Sequence, residues 1–473
     1  FEDVTERAGI ADTKSWGSGA AFADINNDGS LDLYVCNKGN SDEIYMNQGD
    51  GTFNGGFVGG SKNPLRAPTM VAFADYDGDG DLDFYRTATR LISMNEIFDG
   101  KVLTQKDDKG IVRAHPTQAD QFVMIDGLPR ELGTYDRLFR NEGIAEGGMP
   151  KLVDVTRKSG INIAREHGLA AVWWDYNEDG WPDLYVSNDF HTPDHLYRNN
   201  GDSTFTEVTE EALAYTSWNS MGSDFSDINN DGLFDYLSTD MSATTHFKQK
   251  TMMGAMIDTA WFLDNLEPRQ YMRNVMHVNT GTGKFVDVAF HAGIDSTDWT
   301  WAAIFGDLDN DGFEELYFLN TDTYSGRKQY SDRLLDTQTK IIDLFEIEKN
   351  LKSLNLTAGR SVVCVDRNGV GSYGFYVANY GGPTRFYELI NNQIIDKAPM
   401  LNIDKITGGR AVVSGHILGN QMDIFAANER GPNFLYFNED GIFKDFAEKL
   451  GVEDVFENGR GTTLTDFLYR GKL

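Results

Sequence analysis

The chain has 473 residues, 40% of them hydrophobic, and carries 73 acidic against 42 basic side chains, for a formal charge of −31. That field repels phosphate backbones and anionic membrane surfaces, which argues against nucleic acid as a partner; with no run of about 18 apolar residues, membrane insertion is not expected either. Forty-nine Gly against 11 Pro, with 12% aromatic residues, is the balance of many short strands joined by tight turns, and the expected class is all-β.

Read in chain order, Phe1-Glu2-Asp3-Val4 matches a phrase found again at Phe205-Thr206-Glu207-Val208, Phe285-Val286-Asp287-Val288 and Phe443-Lys444-Asp445-Phe446. From Asp24 a longer phrase begins: an apolar run, then D-x-[DN]-x-D-G-x-x-[DE], then a second apolar run. It recurs intact five times, starting at Asp24, Asp75, Asp175, Asp227 and Asp307, with Gly at the sixth place each time. Eroded copies start at Asp366, Gly415 and Asp466. Successive starts differ by 51, 100, 52, 80, 59, 49 and 51 residues. A unit of roughly fifty residues, twice lengthened, is the size of one four-stranded propeller blade.

Third strands are expected at Ile44–Asn47, Leu138–Asn141, Leu196–Asn199 and Leu435–Asn438, followed by hairpin turns into the Phe-led fourth strands. The expected fold is therefore a single β-propeller over residues 1–473, of seven or eight four-stranded antiparallel blades. Phe1–Val4 is expected to close its ring as a fourth strand, the chain ending on a first strand truncated at 473. A start at Phe1 suggests a mature or trimmed product. Cys36 and Cys364 lie in strand-like runs and are expected as buried thiols, with no disulfide framework.

The repeated loops carry the chemistry. Oxygen side chains at places 1, 3, 5 and 9, with a backbone carbonyl at 7, supply the six to eight hard ligands that calcium takes, and Gly at 6 permits the sharp turn. The expected ligands are Asp24, Asn26, Asp28, Ser30 and Asp32 in the first loop, and Asp75, Asp77, Asp79, Asp81 and Asp83 in the second. They continue as Asp175, Asn177, Asp179, Trp181 and Asp183, then Asp227, Asn229, Asp231, Leu233 and Asp235, then Asp307, Asp309, Asp311, Phe313 and Glu315. About five Ca2+ ions follow. An EF-hand would need Glu at place 12, where Val35, Arg86, Val186, Ser238 and Phe318 stand, and would have helical flanks. The plainer alternative is a set of Asp/Asn-Gly hairpin turns without metal. In the eroded loops Val370 and Gly374, Gly415 and Arg470 replace ligands, so no metal is expected there.

Two insertions, 87–134 and 240–269, fall between expected second and third strands, on what would be the top face. Long loops on a rigid scaffold are a common place for recognition. They offer Arg113, His115, Asp120 and Arg130, then His246, Trp261, Glu267 and Arg269, although nothing in their spacing specifies chemistry. Trp173, Trp174, Trp299 and Trp301 fall on first strands, where core packing is the expected role. Asn355-Leu356-Thr357 is a possible glycan acceptor.

These loops and strand phrases resemble the FG-GAP, or VCBS, repeats of integrin α-subunit propellers and of bacterial secreted proteins. From Trp301 onward, Glu314–Asn320, Gly359–Arg367 and Gly431–Leu435 resemble the cartilage acidic protein (ASPIC/UnbV) family, and Tyr271–Asn274 and Thr297–Trp301 resemble its bacterial members. The resemblance implies calcium loops on the bottom face and a calcium-binding, secreted, cell-surface or periplasmic protein. Its expected work is protein or glycan binding on the top face, adhesion, or a place in a larger extracellular assembly. The alternative is an enzyme with a top-face pocket, resembling the cyanobacterial cyclophane-forming alkylating enzyme. No G-x-S-x-G, H-E-x-x-H or P-loop signature is present.

Overall fold

Each repeat phase from Asp24 to Gly415 lies between the first two strands of an antiparallel sheet whose four main strands pair in chain order, and in the fifth sheet a short further strand, Met241–Ser242, pairs with the first. The computed structural model describes residues 3–11, 16–38, 40–58, 67–89, 104–106, 112–114, 122–125, 128–162, 164–189, 192–246, 269–307, 312–320, 333–336, 345–346, 358–391, 393–429, 431–455, 459 and 461–466. Sheet 1 comprises Trp16–Ala23, Asp32–Lys38, Glu43–Asn47 and Phe53–Phe57. Sheet 2 comprises Pro68–Ala74, Asp83–Ala88, Arg137–Ile144 and Pro150–Asp154, and sheet 3 comprises Gly168–Trp174, Asp183–Asn188, His195–Asn199 and Phe205–Glu207. Sheet 4 follows with Ser223–Ser226, Asp235–Ser238, Val275–Asn279 and Phe285–Asp287.

Sheet 5 pairs Asp298–Gly306, Glu315–Asn320, Arg333–Asp336 and Phe345–Glu346. Ala358–Val365, Gly374–Pro383, Arg385–Ile390 and Gln393–Asp396 make sheet 6. Ile406–Gly415, Asp423–Asn428, Phe434–Glu439 and Ile442–Asp445 make sheet 7, which is laddered to sheet 6 through Tyr380 and Gly408. The chain folds as two compact units. One holds Thr5–Trp218 and Asp258–Arg269, with sheets 1 to 3; the other holds Phe1–Val4, Asn219–Ile257 and Gln270–Leu473, with sheets 4 to 7.

Within each unit the core lies between consecutive sheets. Tyr34, Cys36, Ile44 and Met46 of sheet 1 meet Val71, Phe84 and Phe139 of sheet 2, and Tyr85 and Leu138 of sheet 2 meet Leu184, Val186 and Tyr197 of sheet 3. Equivalent clusters join sheets 4 and 5, 5 and 6, and 6 and 7. A second strand is thus covered on both faces, which is why Asp83–Ala88, Asp183–Asn188 and Glu315–Asn320 are buried at every residue, polar ends included, instead of alternating. Each buried aromatic contributes about 1.5–3 kcal/mol through burial.

At the two ends of the chain the expected strands lie partly outside the described residues. Asp3 and Val4 join no ladder, and Phe1 and Glu2 lie outside the described residues. The last phase likewise forms no strand over 461–466, and 467–473 lie outside the described residues. Its track is nonetheless laid down: Gly459 N–H donates to Asn428 O at 3.0 Å, and Leu464 packs beside Ile417, Leu435 and Ala447. Between Asp83–Ala88 and Arg137–Ile144 lie two short hairpins, Thr104–Lys106 with Val112–Ala114, and Phe122–Ile125 with Leu128–Glu131.

Candidate metal loops

The loop between first and second strands is built on the aspartate at place 1. Asp24 Oδ1 accepts the Asp28 N–H at 3.0 Å and its Oδ2 the Gly29 N–H at 2.9 Å. Asp75, Asp175 and Asp227 hold their loops the same way, and Asp307 Oδ2 accepts the Gly312 N–H at 2.9 Å. Gly29, Gly80, Gly180, Gly232 and Gly312 at place 6 have φ of 85° to 93°, where a Cβ is strained. Place 4 is also left-handed, at Asn27, Gly78, Glu178 and Asn230. Asn and Gly are the residues most at home there, a signal the sequence holds but the ligand spacing conceals.

Place 9 has a role that ligand counting alone misses. Asp183 is fully buried; its Oδ2 accepts the Tyr176 N–H at 3.2 Å and its Oδ1 the Asn199 N–H at 2.7 Å. Asp32, Asp83 and Asp235 tie place 2 to the third strand in the same way, and Asp423 of the eroded phase ties Leu418, at place 4, to Asn438. A carboxylate oxygen has two lone pairs, so one such bond leaves room for an ion. Burial, partly offset by these N–H bonds, pushes Asp32 up to about 6, Asp83 to about 8, and Asp183 and Asp235 to about 7.

Places 3 and 5 separate the loops. Where place 3 is Asn, its amide donates to the aspartate at 5: Asn26 to Asp28 at 2.8 Å, Asn177 to Asp179 at 2.9 Å and Asn229 to Asp231 at 2.9 Å. The second loop has Asp77 there, a second carboxylate with no proton to give. Its Oδ1 is buried without a hydrogen-bond partner among the described residues, and burial followed by the charge of Asp79 raises its pKa. Ligand atoms of Asp75, Asp77 and Asp83 lie within 4.8 Å of one another. Oxygens about 2.4 Å from one calcium ion can be at most about 4.8 Å apart, so this set fits such an ion. Asp309 and Asp311 lie outside the described residues.

Consecutive loops touch. The Asn27 amide donates to Gly80 O at 2.7 Å and Asp81 Oδ1 at 3.0 Å, Asn230 donates to Gly312 O at 2.7 Å, and Trp181 lies against Gly78. An asparagine in the third strands of sheets 2, 3 and 7 supplies a deeper tie. Asn199 Nδ2 donates to Tyr76 O of the preceding sheet at 2.7 Å, Asn141 Nδ2 to Ile25 O at 2.9 Å and Asn438 Nδ2 to Arg367 O at 2.9 Å.

At the other end of sheets 1 to 3, a buried aspartate two residues before the third strand's apolar run takes the hydroxyl of the second-strand tyrosine. The pairs are Tyr34 with Asp42 at 2.9 Å, Tyr85 with Asp136 at 3.0 Å and Tyr185 with Asp194 at 2.8 Å. Arg86 reaches from sheet 2 to form a fully buried ion pair with Asp42. Of the insertion residues, Arg113, His246 and Arg269 are exposed, while His115, Asp120, Trp261, Glu267, the side chain of Arg130 and the sequon at Asn355 lie outside the described residues. Trp173 packs, its Nε1–H on Ala72 O at 3.1 Å and its ring stacked on Tyr76 at 6.1 Å.

Residues 24–85 and 175–238 match the model of the FG-GAP-like repeat, and each stretch begins at the first place of one intact loop and runs through the next, so that four of the five intact loops fall within the matches. The chain therefore carries FG-GAP-like repeats over those two stretches. It is related to cartilage acidic protein 1: it is 44% identical over 186 residues to the Xenopus tropicalis protein, 35% of this chain and 29% of that one, and 42% identical over 186 residues to the human protein. The match thus spans under a third of those relatives' length. Among solved structures, a lectin from Agrocybe aegerita aligns over 93% of this chain at 12% identity with a TM-score of 0.42, and that lectin's sugar specificity says nothing of this chain. No helix among the described residues is long and apolar enough to cross a membrane.

Proposed function

We propose that this chain is an extracellular, calcium-binding interaction module of β-propeller architecture. In this reading Ca2+ sits in the five intact loops, and a protein or glycan ligand is recognised at the opposite ends of the sheets, where the 87–134 and 240–269 insertions emerge. The observation that carries it is the second loop, in which three carboxylates converge within 4.8 Å and Asp77 presents a buried oxygen with no donor among the described residues. Unpaired like charges so placed destabilise the loop, and a hard divalent cation reverses that sign. Relationship to a protein named for cartilage, an extracellular tissue, supports the compartment, where millimolar calcium keeps weak loops filled.

Calcium bound only by the folded state raises stability by mass action, about 2.7 kcal/mol per site at a hundredfold excess over Kd. Chelation with EDTA is expected to lower Tm by at least about 5 °C, calcium to restore it, and magnesium to restore less. An unchanged Tm would mean that the loops are plain turns. Asp77→Asn is expected to weaken calcium binding by one site, read as stoichiometry in an isothermal titration.

A further inference from the structure

Opposite the metal loops, the first strands of sheets 5, 6 and 7 each carry a β-bulge, and the extra residues are Trp301, Arg360 and Arg410. A bulge takes its residue out of the ladder's alternation and re-aims the side chain. Here the re-aimed side chains meet. The Arg360 guanidinium carbon lies 5.0 Å from the centre of the Trp301 ring and 5.7 Å from that of Tyr380, and the Arg410 guanidinium carbon lies 5.5 Å from the Tyr380 centre. Indole, guanidinium, phenol and guanidinium therefore alternate across three consecutive sheets.

The charges in this row do not balance. Arg410 Nε donates to Glu429 Oε2 at 2.6 Å, but among the described residues Arg360 has no ion pair of its own. Two guanidiniums share one carboxylate, in a chain whose net charge is −31. Arg360 Nε and Trp301 Nε1, donors from adjacent first strands, are both buried without a hydrogen-bond partner among the described residues. Burial first, then the charge of Arg410, pulls Arg360 down to about 10, still cationic at neutral pH. Two donor atoms without an acceptor, beside a half-buried surplus cation, are an unmet requirement that an acceptor would satisfy.

We propose that Trp301, Arg360, Tyr380 and Arg410 form a binding site for a carboxylate group presented by a ligand. With aromatic rings over the guanidinium of Arg360, its in-plane N–H edge is what remains for recognition, and that edge matches a planar carboxylate two bonds at a time. The Trp301 indole supplies a further donor. One surplus positive charge suits one carboxylate, whereas a polysulfated chain would meet the repulsion of the whole acidic surface. The proposal deepens the interaction-module reading and rests on it for the setting.

The test is a titration of the full-length, calcium-loaded chain, labelled with 15N at its 8 tryptophan indoles, followed by the Trp301 N–H resonance assigned through W301F. The probes are acetyl-Gly-Glu-Gly-amide, its Gln counterpart and sodium sulfate at constant ionic strength. The Glu peptide is expected to shift that resonance downfield and saturably, and the Gln peptide to leave it in place. R360A is expected to weaken the Glu peptide at least about 10-fold, and R360K to fall between, because lysine keeps the charge but not the fork. R360Q serves if R360A does not fold. Equal shifts by the Gln peptide, saturation untouched by R360A or R360Q, or sulfate binding more tightly than the Glu peptide would each overturn the proposal. Empty loops would show in the chelation melt instead, so the two readings fail separately.

Discussion

Replacing Asn199 by Ala removes three hydrogen bonds without touching the backbone N–H that Asp183 holds. Nδ2 loses Tyr76 O at 2.7 Å and Pro182 O at 3.1 Å, and Oδ1 loses the Gly201 N–H at 3.0 Å. The side chain is 2% exposed and Tyr76 1%, so the Tyr76 carbonyl, at the junction of sheets 2 and 3, is stranded away from water. That group alone costs about 1–3 kcal/mol, and the partly exposed Pro182 and Gly201 add less than about 1 kcal/mol each, for a total of about 2–4 kcal/mol. At 2–4 °C per kcal/mol for a unit of some two hundred residues, Tm is expected to fall by about 5–15 °C. Asn200→Ala is the control. Asn200 is exposed, and its side chain meets Thr204 Oγ1 and Thr206 Oγ1 of its own hairpin, each at 3.0 Å, where water can replace it; its loss should cost under about 0.5 kcal/mol. Differential scanning calorimetry in calcium reads both. If Asn199→Ala melts within 2 °C of Asn200→Ala, the repeat asparagine is not a tie between sheets.

Asp42→Asn is expected to cost about 3–5 kcal/mol, because it leaves the Arg86 guanidinium fully buried and uncompensated; a Tm indistinguishable from the parent would refute it. Glu178→Asn relieves a left-handed non-glycine residue, φ 58°, and should stabilise by about 0.5–1 kcal/mol in urea unfolding. Burial pushes the thiols of Cys36 and Cys364 up to about 12, so iodoacetamide at pH 8 should label neither until denaturant is added, as followed by intact mass. Burial opposes protonation of His195, but Glu166 and Glu207 on its two ring nitrogens outweigh it and raise the pKa to about 10, while Glu207 is lowered. The raised histidine stabilises fully below its unfolded value of 6.5 and loses this as pH climbs through about 10; the lowered glutamate stabilises above 4.5 and loses this in acid. His195→Gln should therefore reduce Tm most between pH 4.5 and 6.5, with the difference shrinking toward pH 10.

The sheets were legible because their signals are local. The loop motif fixes the turn between first and second strands, the Leu-Tyr-x-Asn phrase fixes the third strand, and the period fixes the number of phases. What stayed hidden depends on contacts between phases. Nothing in Leu196–Asn199 shows that the asparagine amide crosses to a carbonyl more than a hundred residues earlier, and Asp42, Asp136 and Asp194 read as ordinary loop acids until a tyrosine hydroxyl is found on each. The Arg360 row was equally invisible, since a β-bulge breaks the alternation by which strand residues are assigned to faces. The phrase at the chain's start shows the same limit: a strand phrase becomes a strand only where a ladder receives it, and Asp3 and Val4 join none among the described residues, while Phe1 and Glu2 lie outside them.

The eroded loop at Asp366 separates what the turn needs from what a metal would need. Asp366 Oδ1 accepts the Val370 N–H at 3.2 Å and Oδ2 the Gly371 N–H at 2.8 Å, and Gly369 and Gly371 keep positive φ, as in the intact loops. Yet Asn368 and Val370 stand where the second loop has Asp77 and Asp79. One aspartate and two left-handed residues therefore suffice to hold this turn, and Arg367, bound to Glu388 and to Gly441 O, fastens it to its neighbours without an ion. In the second loop Asp77 is thus not required by the turn, and its carboxylate makes the turn less stable on its own. A residue that weakens the fold where a neutral one would serve is best explained by what it binds. Substituting both Asp77 and Asp79 by Asn should raise the Tm of the chelated protein and lower that of the calcium-loaded protein. A change of the same sign in both conditions would show that those carboxylates belong to the turn after all.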